Sequence, residues 1–253
     1  MVWFLVAAAV AVLLVALVVL RRRGRRDEEH GPAALDFAVN LALAVYLLVL
    51  AYAAVLGHDA IQAAETDAAA EAESLTELYW AVAPLPEAAP IRAQVCRYTT
   101  QAVALDWPLM PKGELSSVPG ETLDDLRIAV QRLHPEGITG LRSRSDALGR
   151  AADISHARGM RADDAASSLD PVFLISMIAS GALVIVLPWL AGVKPSAASI
   201  TSDLVRVGVV VVGIVVIVLL AKPYSGPGAV RPDAFQAAQR QFDAIDRHVG
   251  TEP

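Results

Sequence analysis

The 253-residue chain has one cysteine, Cys96, three lysines against eighteen arginines, and an aromatic share of only 6%. A single cysteine excludes an internal disulfide framework and any multi-cysteine metal site. Charged residues make up 19% of the chain, below the roughly 25% usual in soluble proteins. The net charge of −6 gives no chain-wide basic field for nucleic acid, and no arginine and aromatic interleaving takes its place. The chain also lacks G-x-x-x-x-G-K-S/T, G-x-S-x-G, H-E-x-x-H and a G-x-G-x-x-G following a strand, so phosphate-cradling, hydrolase and zincin chemistry have no anchor. His30, His58, His134, His156 and His248 are not spaced as paired ligands, and Glu73 and Glu77 share a helix face without a neighbouring base. We therefore expect a protein that is not an enzyme and needs no cofactor or metal.

What the chain does have is apolar residues gathered in runs: 55% of it is hydrophobic and its mean hydropathy is +0.48. At 1.5 Å per residue, ~20 helical residues cross the ~30 Å hydrocarbon layer. Four runs meet that length, at residues 1–20, about 34–56, 171–193 and about 204–221. The first contains no charge, proline or glycine, and RRRGRR stands at Arg21 to Arg26 where a signal peptide would be cleaved, so an uncleaved anchor is expected. In the third, Pro171 suits a helix start, Pro188 should kink or end the helix near Trp189, and Ser176, Ala179, Ser180 and Gly181 offer a small-residue packing face. Arg206 lies near enough to an end of the fourth to snorkel.

Residues 57–170 carry 18 acidic and 10 basic side chains and read as a water-facing domain. From His58 to Ala83 the pattern is helical, continuous with the second run apart from Gly57, with an acidic surface of Asp59, Glu65, Asp67, Glu71, Glu73 and Glu77. Ile61, Ala64, Ala68, Leu75 and Leu78 form its apolar side. A second helix starts at Pro90, carries Ile91, Val95, Tyr98 and Ala102 at helical spacing, and ends at Trp107 and Pro108. A loop over Pro108 to Gly120 follows, then a helix with Leu123, Leu126, Val130 and Leu133, and another from Thr139 to Ser168. Beyond the fourth run, KPYSGPG turns the chain and Asp233 to His248 form an amphipathic helix. The expected fold is all-α: transmembrane hairpins at 1–56 and 171–221, a helical acidic domain at 57–170, and a C-terminal turn and helix at 222–253.

The orientation signals conflict. Five arginines between the first two runs, with none in the 20 residues after the second, put that short loop in the cytoplasm and the domain outside. Arg150, Arg158 and Arg161 before the third run and Lys222, Arg231 and Arg240 after the fourth argue for a domain inside. The first contrast is the sharper, and we give it precedence.

Several separated motifs in one order resemble the bestrophin-like family of bacterial membrane proteins. They are the two-plus-two layout of runs, EAESLTELY at Glu71 to Tyr79, Tyr98 followed by DWP at Asp106 to Pro108 with Trp107 in its centre, RGMR at Arg158 to Arg161 before a proline-started span, and PYSG with Pro223, Tyr224 and Gly226 after the fourth. The chain departs from the family in Asp106 for glutamate, Tyr224 for phenylalanine and Ala221 for aspartate, and it lacks the dense acidic calcium clasp of true bestrophins, so calcium gating does not carry over. The resemblance implies a homo-oligomer, a pentamer, in the bacterial plasma membrane, with the second span lining a path for small anions.

Read directly, Asp36, Asn40, Ala44, Leu47, Ala51, Ala54 and His58 fall on one face of that span, polar at its ends and mostly small between. Such a face either lines a conduit or lets helices pack closely. Likewise Arg158, Arg161 and Lys222, which share one membrane side, either attract anions in a vestibule or anchor the chain at the interface.

Overall fold

The computed structural model describes residues 31–167, 171–190, 197–226 and 228–249, and the expected first span lies outside them. Every element among the described residues is helical: α1 (Gly31–Val82), α2 (Ala89–Gln101), α3 (Ser117–Gln131), α4 (Gly137–Ala166), α5 (Pro171–Leu190), α6 (Ala197–Leu220) and α7 (Asp233–Val249). The chain divides into two compact units, Met1–Gly57 with Ser168–Ala221 and His58–Ser167 with Lys222–Pro253. The C-terminal segment thus belongs to the polar unit. Helix α1 contributes to both units, running unbroken through Gly57.

In the apolar unit, α1, α5 and α6 meet around Tyr46, which is fully buried and donates its hydroxyl to the Val210 carbonyl at 2.9 Å. Without a strong hydrophobic drive between helices in lipid, small residues that let backbones approach carry much of the packing. Gly181 is such a point: a Cβ there would lie 2.7 Å from Val210 Cγ1 and 3.3 Å from the Tyr46 ring. Of the small-residue face expected on this span, Gly181 is the buried member, while Ala179 is exposed. We expect Gly181→Val to destabilise the unit by about 1–3 kcal/mol through overpacking, seen as a lower thermal midpoint in detergent; an unchanged midpoint would show that these helices pack loosely.

Among the described residues two helices are long and apolar enough to cross a membrane, the stretches Phe37–Val82 and Thr201–Leu220, and only 22% and 17% of their most apolar windows are buried. Core helices of a soluble protein would be covered, so this exposure points to membrane association. The apolar stretch of α5 among the described residues, Phe173–Leu187, is shorter.

In the polar unit the apolar stripe of α1 (Ala64, Ala68, Leu75, Leu78) packs into a core with Ile91, Val95, Leu123, Leu126 and Ile154. Helix α7 lays Phe235, Ala238, Phe242 and Ile245 onto the same core, and Phe242 stacks on Tyr79 at 4.6 Å between centroids. Part of the loop expected over Pro108 to Gly120 is helical. Met110–Lys112 makes a single 3₁₀ turn ended by Gly113 at φ 82°, and α3 starts at Ser117, capped by the Ser116 hydroxyl accepting from Val118 N–H at 3.3 Å.

Candidate functional site: a buried charge cluster

Arg161, on the inner face of α4, is the largest fully buried side chain of the polar unit. Its guanidinium donates from Nε to Glu71 Oε2 at 2.7 Å and from Nη2 to Glu71 Oε1 at 3.1 Å, a bidentate pair with α1. Nη2 also reaches Asp106 Oδ2 at 3.2 Å, and Nη1 points to Met110 Sδ at 3.5 Å. The rings of Trp107 and Phe235, edge-on to each other with centroids 5.0 Å apart, lie side by side at 5.2 and 5.3 Å from Cζ. One turn earlier, Arg158 donates to Asp106 Oδ2 at 2.5 Å and to the Ser116 carbonyl at 2.9 Å. Asp106 Oδ1 accepts the Ser116 N–H at 2.9 Å, and the Tyr98 hydroxyl donates to Glu71 Oε1. Two arginines face two carboxylates, so the cluster is neutral as a whole.

This balance is what makes burial tolerable. A charge moved into a low-dielectric interior is costly unless it is paired and hydrogen-bonded. Burial pulls the Arg161 guanidinium down, but Glu71 and Asp106 outweigh it and hold it firmly protonated; Arg158 is likewise held up against burial, by Tyr98 and Asp106. Burial, and then the Glu71 charge, keeps the Tyr98 phenol protonated far above its ordinary range, so it stays a donor.

Asp106 reaches the cluster through a local irregularity. Residues Ala102–Asp106 form one π turn in which Trp107 N–H bonds to the Ala102 carbonyl at 3.3 Å. In an uninterrupted α-helix Asp106 would stand about 80° around the axis from Tyr98. The extra residue of a π bulge sets it back to within about 20°, so that both side chains face Arg158 and Arg161. Trp107, next along, donates its Nε1–H to the Val230 carbonyl at 3.3 Å and meets Tyr224 edge-on at 6.4 Å. Tyr224, Pro223 and Gly226 form the turn after α6, where Gly226 takes φ 87° and Val230 N–H closes onto the Pro223 carbonyl at 2.9 Å. Only glycine adopts that backbone freely.

Motifs scattered over some 150 positions therefore converge: Glu71, Tyr98, Asp106, Trp107, Arg158, Arg161 and Tyr224 belong to one interior assembly. Tyr79 lies apart, donating to Asp246 Oδ2 at 2.8 Å. Three expectations change. Glu71 is not part of the acidic surface but fully buried, while Asp59, Glu65, Glu73 and Glu77 are exposed. Arg161 is buried and Arg158 nearly so, both held by carboxylates rather than standing as vestibule or interface charges; Lys222 alone of the three is exposed. With every nitrogen of Arg161 engaged, the cluster offers no open position to a ligand. Its chemical work is to tie α1, α2, α4, the Met110 turn and α7 together.

The file expected to line a path lies in the apolar unit, apart from His58 at the start of the polar one. Asn40, Ala44, Leu47, Ala51 and His58 are exposed and Ala54 is half-buried, whereas the side chain of Asp36 falls outside the described residues. Leu47, Ala51 and Ala54 border a groove of about 630 Å³ whose other wall is α6, at Gly208, Val209 and Val212. Among the described residues, no three or more His, Cys, Asp or Glu are arranged to hold a metal ion.

An all-helical protein with exposed apolar helices and a charge-locked polar unit defines a class of membrane-associated helical proteins. Within that class the chain belongs to the Bestrophin-like domain family, whose model matches residues 5–235. No curated protein and no solved structure matches it.

Proposed function

We propose that copies of this chain assemble, as a pentamer by family resemblance, into a bestrophin-like channel for small ions, anions by the same resemblance. The supporting observation is the family match over residues 5–235 together with the outward file Asn40, Ala44, Leu47, Ala51 on α1, exposed among the described residues. In this reading the protein has four spans in a bacterial plasma membrane, the polar unit lies outside the cytoplasm as a vestibule or gate, and no enzymatic step takes place. Small side chains along α1 let five copies approach a common axis closely.

Purified protein in liposomes is expected to give chloride flux above empty vesicles, and Leu47→Trp, at the apolar middle of the file, to remove most of it. Flux equal to empty vesicles for both chloride and potassium would overturn the reading. A second reading is favoured by the exposed acids Asp59, Glu65 and Glu73 on α1: a non-conducting scaffold or sensor that holds a protein partner through that face. A silent protein that is monomeric in nanodiscs would support it.

A further inference from the structure

The last two turns of α4 contain a second, unbalanced group of charges. Asp164 Oδ2 is shut off from solvent and no donor among the described residues reaches it. Helices α1 and α4 run antiparallel, Glu71 on Arg161 and Glu77 on Arg150, so the next turn brings Asp67 of α1 opposite Asp164, with Asp163 its neighbour in sequence. Two carboxylates that meet can hydrogen-bond only with a proton between them. Among the described residues no nearby group relieves the pair. The Tyr224 hydroxyl donates to the Ala64 carbonyl at 3.4 Å, and the Arg161 guanidinium is committed to Glu71 and Asp106. Lys112, on the turn packed against the end of α4, and Lys222, beside Tyr224, are both exposed and make no ion pair with Asp164 among the described residues.

We propose that Asp67 and Asp164 share one proton and form a pH-sensitive clasp between α1 and the C-terminal end of α4, closed while the proton is held and loosened when it leaves. Burial first, then Asp67 and Asp163, pushes the Asp164 carboxyl up from 3.8 to about 6. A carboxyl raised in the folded state adds stability that is complete below its unfolded value and is lost as pH rises through the folded one. The clasp therefore weakens between about pH 4 and pH 7, whether or not the assembly conducts.

The test uses full-length protein in nanodiscs. Between pH 4.5 and 7.5 the thermal midpoint of the unaltered protein is expected to fall by about 2–4 °C more than that of D164N, after allowance for the partial exposure of the pair. D67N should flatten the profile in part, because burial still raises Asp164, and the double variant should add nothing to D164N. Infrared difference spectra between pH 5.5 and 7.5 should contain a protonated-carboxyl band that D164N abolishes and D67N weakens. A band that persists in D164N, or equal pH slopes in all four proteins, would overturn the clasp. Should D164N fail to fold, D67N removes the other half of the pair and gives the same changes in weaker form.

Discussion

Glu71→Leu is expected to cost about 3–5 kcal/mol of unfolding free energy, because it strands a buried guanidinium rather than because it removes an attraction. With Glu71 gone, Arg161 and Arg158 would share the single carboxylate of Asp106, leaving a net positive charge in the interior, and the Tyr98 hydroxyl would lose its acceptor. Denaturant titration in micelles, followed by the fluorescence of Trp107 packed against Arg161, reads the loss. The double variant Glu71→Leu with Arg161→Leu separates stranded charge from lost packing. It keeps the neutral Asp106–Arg158 pair, and replacing a whole buried ion pair with apolar groups is often close to neutral. We therefore expect the double variant to be more stable than Glu71→Leu by about 2 kcal/mol or more, a coupling of the size seen for residues in one network. If the two losses simply add, the cluster is not stabilised by charge balance and our account of it fails.

Much of the helical framework was legible in the sequence, because helices announce themselves through local periodicity. The stripe on α1 placed Ala64, Ala68, Leu75 and Leu78 inside, and α7 was bounded to within a residue. The cluster was legible only in part. Glu71 completes the spacing of that stripe, three residues after Ala68 and four before Leu75, and this was the signal that marked it as interior. It was masked by the five other acids between Asp59 and Glu77. Arg158 and Arg161 similarly occupy inward positions of α4, continuing Ala147, Ala151 and Ile154, yet an arginine close to a membrane span reads equally well as an anchor. Choosing between the two needs the partner, and Glu71 lies 90 residues from Arg161. Pairings at that distance follow from tertiary packing, which no local pattern encodes. The resemblance to bestrophin-like proteins brought the right residues into one list without showing that they touch.

The π turn was not legible at all, and it leads to a prediction that ordinary reasoning about helix register would reverse. Tyr98, Ala102 and Asp106 are spaced by four, a pattern that in a regular helix drifts about 40° per step and would carry Asp106 away from the arginines. The bulge absorbs one residue and cancels the drift. Deleting Ala104 should therefore convert Ala102–Asp106 to regular α-helix with Asp106 seven residues from Tyr98, still within about 20° of its present direction. Stability should fall by about 1 kcal/mol or less, since both ion pairs survive. Inserting one alanine between Gln101 and Ala102 has the opposite consequence. If the bulge persists, Asp106 rotates by about 100° away from Arg158 and Arg161. The cluster then keeps two guanidiniums for one carboxylate, the Ser116 N–H loses its acceptor, and the loss should match that of removing a buried partner, about 3–5 kcal/mol. Deletion milder than insertion, measured by the same denaturant titration, is the expected order. Equal losses would mean that the bulge is a strained turn fixed by Pro108 rather than a residue inserted to aim Asp106.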